Sequence, residues 1–126
     1  MIELKILGET PAKKNANKFN PKTKIMYKDK HYREWHEGAE IQIYAQKAVL
    51  DVKPIDYAVM IVLSFYHGDN VRRDSDNQAS SIMDLLQDTN ILLDDNWQIV
   101  RILNIYNFYE KGNARCEIKI ERLEEK

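Results

Sequence analysis

The run from Tyr57 to Tyr66, YAVMIVLSFY, restricts the fold more than any other stretch of this 126-residue chain. It is rich in β-branched and aromatic residues and apolar at odd and even positions alike. A strand apolar on both faces needs partners on both edges and cover over its faces, so the run predicts a central strand. The residues before it supply two further elements. Ile2 to Leu7 alternates Ile, Leu, Ile and Leu with neighbours of mixed polarity and reads as a first strand. Tyr32 to Leu50 carries Trp35, Ala39, Ile43, Ala45, Gln46 and Val49 at mostly helical spacing, with Glu34, Glu37, Glu40 and Lys47 on other faces. That pattern predicts a helix whose apolar side covers the sheet or a partner subunit, and Pro54 ends the linker after it.

Beyond the central run, HGDNVRR leaves through a turn and delivers Arg72 and Arg73 beside Asp74. From Val71 to Val100 the chain gathers paired acids at both ends of one short amphipathic helix. Asp74 and Asp76 sit two apart and project from one face if the strand continues that far. Ala79, Ile82, Met83 and Leu86 then fall at i, i+3, i+4 and i+7, one apolar stripe, with Asp76 or Ser75 placed to cap the first turn. The helix fades over Gln87 to Asn90, and the apolar ILL that follows leads into Asp94 and Asp95. Trp97 to Tyr109 and Ala114 to Arg122 read as a hairpin around EKGN. The order strand, basic loop, helix, strand, helix, hairpin predicts one domain over residues 1–126. It is of α+β (mixed α/β) class, with a sheet covered by two main helices and a C-terminal β-hairpin.

The four aspartates carry the chemistry. Carboxylates at a strand end and in the loop after a helix repel one another unless a cation sits between them, so their meeting in one cleft predicts a hard divalent metal. Oxygen ligands without cysteine or a matched histidine pair point to Mg²⁺ or Mn²⁺ rather than Zn²⁺. Such an ion suits phosphodiester cleavage: it polarises a phosphoryl oxygen, lowers the pKa of a water it holds, and stabilises charge on the leaving oxygen. The spacing alone equally suits an Asp76 that only caps a helix and an Asp94 and Asp95 that make a solvated turn. His31 and His36 flank the first helix without ligand spacing and read as surface residues. Cys116 is alone, which excludes an intrachain disulfide framework and a cysteine zinc site.

The net charge of −1 conceals an asymmetry. Lys13 to Arg33 holds eight Lys or Arg (Lys13, Lys14, Lys18, Lys22, Lys24, Lys28, Lys30, Arg33) against Asp29 alone, a local +7, so the other 105 residues sum to −8. A cationic face beside an acidic pocket draws in a phosphate backbone that the carboxylates alone would repel. Phe19, Met26, Tyr27 and Tyr32 are interleaved with these lysines, as in segments that stack on exposed bases; an ordinary surface loop with aromatics packed on the core is the other reading. No apolar run has the length to cross a bilayer, and MIELKILGE reads as a strand rather than a signal peptide, so the expected location is cytoplasmic with no membrane partner.

RRDSDN, then a helix bearing Asp84, then an apolar residue followed by DDNWQIV, resembles the signature of RusA-type Holliday junction resolvases. These are small phage- and prophage-associated endonucleases in which an R-D-x-D-N segment and a later D-D-x-x-V segment frame a helix of similar length. Ile99 to Glu121, with its Lys111–Gly112 turn, resembles the family's closing hairpin, and the first fifty residues match in general character. The resemblance implies that Asp74, Asp76 and Asp95 hold Mg²⁺, with Mn²⁺ able to substitute; in the mechanism expected from these residues Asp94 orients a ligand or a water. It implies a homodimer that nicks a four-way junction twice. With it, the expected DNA contacts are Lys13, Lys14, Lys18, Lys22 and Lys24 of the basic segment, Asn77 and Ser80 of the helix, and Arg72 and Arg73, which clamp phosphate or neutralise the adjacent acids. Where the family commonly carries a lysine, one helical turn past the second acid, this chain has Ser80, whose hydroxyl can donate to a phosphate but brings no charge. A branched-DNA-binding protein of attenuated activity is therefore the alternative. A small-molecule phosphohydrolase using Asp74 and Asp76 is a third reading; it lacks the threonine and lysine motifs such enzymes add and leaves the basic loop without purpose.

Overall fold

The computed structural model describes residues 1–13, 17–23 and 25–124, with residues 17–20 and 25–28 described by their backbone alone. The elements are β1 (Ile2–Leu7), β2 (Asn17–Asn20), β3 (Ile25–Lys28), α1 (Lys30–Leu50), β4 (Val59–His67), α2 (Ser75–Asp88), β5 (Val100–Tyr109) and β6 (Arg115–Arg122). Four strands form one sheet in the order β1-β6-β4-β5, and β2 pairs with β3 in a separate two-stranded ribbon. The expected single α+β domain with two helices over a sheet is the architecture found. Among the described residues, no helix is long and apolar enough to cross a membrane.

β4 is central, as its composition requires, with β6 antiparallel on one edge and β5 parallel on the other. Its two faces differ. Val59, Ile61, Leu63 and Phe65 are fully enclosed, whereas Met60, Val62, Ser64 and Tyr66 on the opposite face are half-buried. The enclosed face packs with Leu4 and Ile6 of β1 and with Cys116, Ile118 and Ile120 of β6. Ala39 and Ile43 of α1 cover it, with Ala79, Ile82, Met83, Leu85 and Leu86 of α2. Both helices thus lie on one side, and the apolar stripe read from the α2 sequence is the side that is buried.

The expected C-terminal hairpin does not exist. β5 and β6 run on either side of β4 and share no ladder. The EKGN turn is real, with Gly112 at φ 71° and Asn113 N–H donating to the Glu110 carbonyl at 3.1 Å. It passes over the end of β4 instead: Glu110 N–H donates to the His67 carbonyl at 2.9 Å and Gly112 N–H to the Gly68 carbonyl at 3.1 Å. The crossing is close, because a Cβ on Gly68 would stand 3.2 Å from the Ala114 nitrogen. A turn between two β-patterned runs looks the same in sequence whether it closes a hairpin or straddles a third strand; here β4 takes both partners.

α2 is the crossover of a parallel β4-α2-β5 unit, a connection that parallel strands require. It begins later than strand continuity would place the acids. β4 stops at His67, so Asp74 takes the N-cap position and Asp76 the first helical turn, rather than both projecting from a strand. Neither Asp76 nor Ser75 is the cap, and Asp74 makes no side-chain capping bond. After α2 the chain is pinned by Ile91 and Leu92, both enclosed, with Ile55 N–H donating to the Ile91 carbonyl at 2.9 Å and Leu93 N–H to the Ile55 carbonyl at 3.0 Å.

Candidate active site

That anchor determines where the second acid pair emerges. Leu93 turns outward, and Asn96 then tightens the loop: its Oδ1 accepts from Gln98 N–H at 2.9 Å and its carbonyl from Val100 N–H at 2.9 Å. Asp94 Oδ1 accepts the Asp95 N–H at 2.7 Å. The result is that Asp95 lines the same cavity as Asp76, about 510 Å³ in volume. Ser80, Met83 and Asp84 of α2, Lys13, Trp97, and Val100, Leu103 and Ile105 of β5 complete much of its wall. Asp76, Ser80 and Asp84 fall at i, i+4 and i+8, so one helix face presents two carboxylates and a hydroxyl one above another. The Ser80 hydroxyl donates to the Asp76 carbonyl at 3.1 Å.

The remaining predicted residues are distributed differently. Asp74 and Asn77 line a neighbouring groove with Glu9, His31, Arg72 and Gln78. The cavity brings Asp76 and Asp95 together with Asp84, while Asp74, two residues before Asp76, lines the adjoining groove and Asp94 braces the Asp95 backbone. Arg73 does not neutralise the acids of the cleft. Its guanidinium holds both carboxylate oxygens of Asp69, at 2.7 and 3.2 Å, and lies 3.4 Å from Glu9. This bond raises the Arg73 pKa and takes the Asp69 carboxyl down to about 2. Arg72 is exposed beside Asp74, and Lys22 is exposed in the β2–β3 turn. Lys14 and Lys24 lie outside the described residues, as do the side chains of Lys18, Phe19, Met26 and Tyr27.

Two features escaped the spacing argument. Asp84 stands in the cleft, and its phase with Asp76 along α2 is the signal that finds it. Trp97 is 70% exposed while lining the same cavity, with the Arg101 guanidinium 5.3 Å from the ring centroid, and only the loop's turn reveals that placement. His36 is likewise more than a surface residue. Its Nδ1 lies 2.7 Å from Glu40 and its Nε2 2.9 Å from Asp88. Among the described residues, the set of three acid or histidine ligand atoms lying within 4.8 Å of one another is His36, Asp84 and Asp88. Next to it Tyr32 is enclosed, and burial, reinforced by the Asp84 charge, pushes its phenol up to about 12.

The donor chemistry of the cleft fits a hard divalent ion: Asp76, Asp84 and Asp95 offer oxygen, and among the described residues neither sulfur of cysteine nor imidazole lines the cavity. The crossover helix and the loop after it thus bring Asp76, Asp84 and Asp95 of a small α+β domain to one cavity beside Lys13. The chain belongs to the RusA endodeoxyribonuclease family, the Holliday junction resolvases: the family profile described as Endodeoxyribonuclease RusA matches residues 9–121. No curated protein sequence matches the chain.

Proposed function

We propose that this chain cleaves four-way DNA junctions with the help of a divalent ion, Mg²⁺ or in its place Mn²⁺, gathered by Asp76 and Asp95 with Asp74 as the third acid. The observation that carries the reading is the shared cavity of Asp76 and Asp95, residues distant in the chain that the α2-to-β5 loop returns to one place. When bound, the ion would polarise the phosphate and lower the pKa of the attacking water. The chain's own residues do the rest. Asp94 positions the loop that presents Asp95, and Asp76 is fixed by the first turn of α2. Arg72 and Asn77 in the adjoining groove, with the lysines from Lys14 to Lys30, hold the flanking backbone. Trp97 offers an exposed ring on which an unstacked base at the branch point can rest. Recognition follows branch shape, because the basic segment supplies charge without a helix that reads base edges.

A four-way junction is two-fold symmetric and needs two nicks, which a two-fold dimer supplies. The outer face of the sheet supports self-association: Ile102, Tyr106 and Phe108 of β5 are exposed there, and Phe108 stacks on Tyr66 at 4.9 Å.

The test is nicking of a synthetic four-way junction with Mg²⁺, with chelator, and with Asp76→Asn and Asp95→Asn. The reading expects paired nicks that vanish with chelator and fall at least about 100-fold in each variant while junction binding persists. Tight junction binding by the wild type with no nicking in Mg²⁺ or Mn²⁺ would instead establish the attenuated binding protein that Ser80 suggests.

A further inference from the structure

The cleft has a charge problem that a divalent ion does not fully solve. Its α2 wall carries Asp76 and Asp84 and its loop wall Asp95, and a phosphodiester brings another negative charge that grows as the ester bond breaks. The helix face that reaches the cleft holds a serine where a cation would help. Among the described residues, the cationic side chain lining this cavity is Lys13, whose ammonium lies 3.0 Å from Asp84 Oδ1.

Lys13 is not there by the chance reach of a long surface chain. The segment leading to it is fastened to α2 at successive steps. The Gln78 amide donates to the Thr10 carbonyl at 2.7 Å and to Glu9 Oε2 at 2.8 Å, the Ser81 hydroxyl donates to the Pro11 carbonyl at 2.6 Å, and Lys13 then meets Asp84. Residues 78, 81 and 84 are three apart on the helix, so they form one row along which the segment is laid. Gln78 and Ser81 are fully enclosed, and Lys13 and Asp84 are each about one-third exposed at the side chain. The anchoring is thus buried while the ammonium remains open to a ligand. An ammonium has three donors, so Lys13 can keep Asp84 and still donate to a phosphate oxygen.

We infer that Lys13, held by Asp84 as a positioning residue, is a catalytic residue that stabilises the charge developing on the scissile phosphate, in place of a cation on the helix itself. This rests on the cleft being the nuclease site. Water adds to phosphorus, one P–O ester bond breaks, the proton given up by the water ends on the leaving oxygen, and the lysine contributes charge rather than that proton.

The test compares wild type, Lys13→Ala, Ser80→Lys and the double variant Lys13→Ala/Ser80→Lys. Single-turnover nicking of a four-way junction is measured in Mg²⁺, junction affinity in Ca²⁺, and folding by thermal melting. Lys13→Ala is expected to lower the single-turnover rate about 100-fold with affinity kept within about threefold, the pattern of an interaction made mainly in the transition state. Adding Ser80→Lys should recover most of the lost rate, since position 80 faces the same cavity. Unchanged nicking by Lys13→Ala, or rate and affinity falling together, would overturn the inference. If the wild type does not nick but Ser80→Lys does, the nuclease site stands and the role of Lys13 fails. If neither nicks, the nuclease reading fails and takes the inference with it.

Discussion

The side-chain amide of Gln46 treats the backbone of Lys5 as a neighbouring strand would, accepting from its N–H at 2.8 Å and donating to its carbonyl at 2.7 Å. Gln42 takes the next outward-facing N–H, that of Leu7, at 2.7 Å. One margin of the sheet is thereby closed by α1, which addresses the tendency of an open edge to recruit other strands. Replacing Gln46 with Ala leaves those groups of Lys5 to water. The expected loss is about 1–2 kcal/mol, read as a lower urea midpoint at unchanged slope. A midpoint equal to that of the wild type would show that the pairing contributes nothing net.

At the other margin of the sheet β5 is the outer strand and presents Ile102, Tyr106 and Phe108 on the face away from the helices. Phe108→Glu places a charge in the middle of this apolar patch. If the patch joins two copies, sedimentation equilibrium should give a dimer for the wild type and a monomer for the variant, with the melting temperature of the isolated chain little changed. A wild type that remains monomeric at all accessible concentrations would remove the dimer from the account.

Asp69 and Arg73 form a clamp with a defined acid limit. The guanidinium hydrogen bonds, with the Val71 N–H, hold the Asp69 carboxyl at about 2, below its ordinary 3.8. A depressed carboxylate pKa adds stability that is present above the unfolded value and lost as pH falls through the folded one. The difference in stability between wild type and Asp69→Asn should therefore be constant above about pH 4 and shrink as the pH drops toward 2. A difference that instead grew on acidification would mean that Asp69 is not held as its bonds to Arg73 imply.

β4, the buried stripe of α2 and the loop that delivers Asp95 were legible because burial writes a period into the chain, and residues 59–65, 79–86 and 91–92 obey it. The false hairpin was not, since nothing within β5 or β6 encodes that β4 lies between them. The fate of Asp74 turned on where β4 ends, a boundary that the polar residues after His67 leave open. Beside Asp74, Arg73 reads as a phosphate clamp or a neutraliser of the adjacent acids, yet Asp69, four residues back, holds it. Lys13 shows the opposite case: its composition pointed only to a cationic surface, and the fold converted that generality into one ammonium beside Asp84.

The central claim is that Asp76 and Asp95 converge on one divalent ion. The most direct measurement is anomalous diffraction from a crystal soaked in Mn²⁺. A peak is expected between the carboxylates of Asp76 and Asp95, absent from a matching crystal of Asp95→Asn. A peak confined to His36, Asp84 and Asp88, or to the groove beside Asp74, with nothing between Asp76 and Asp95, would contradict it.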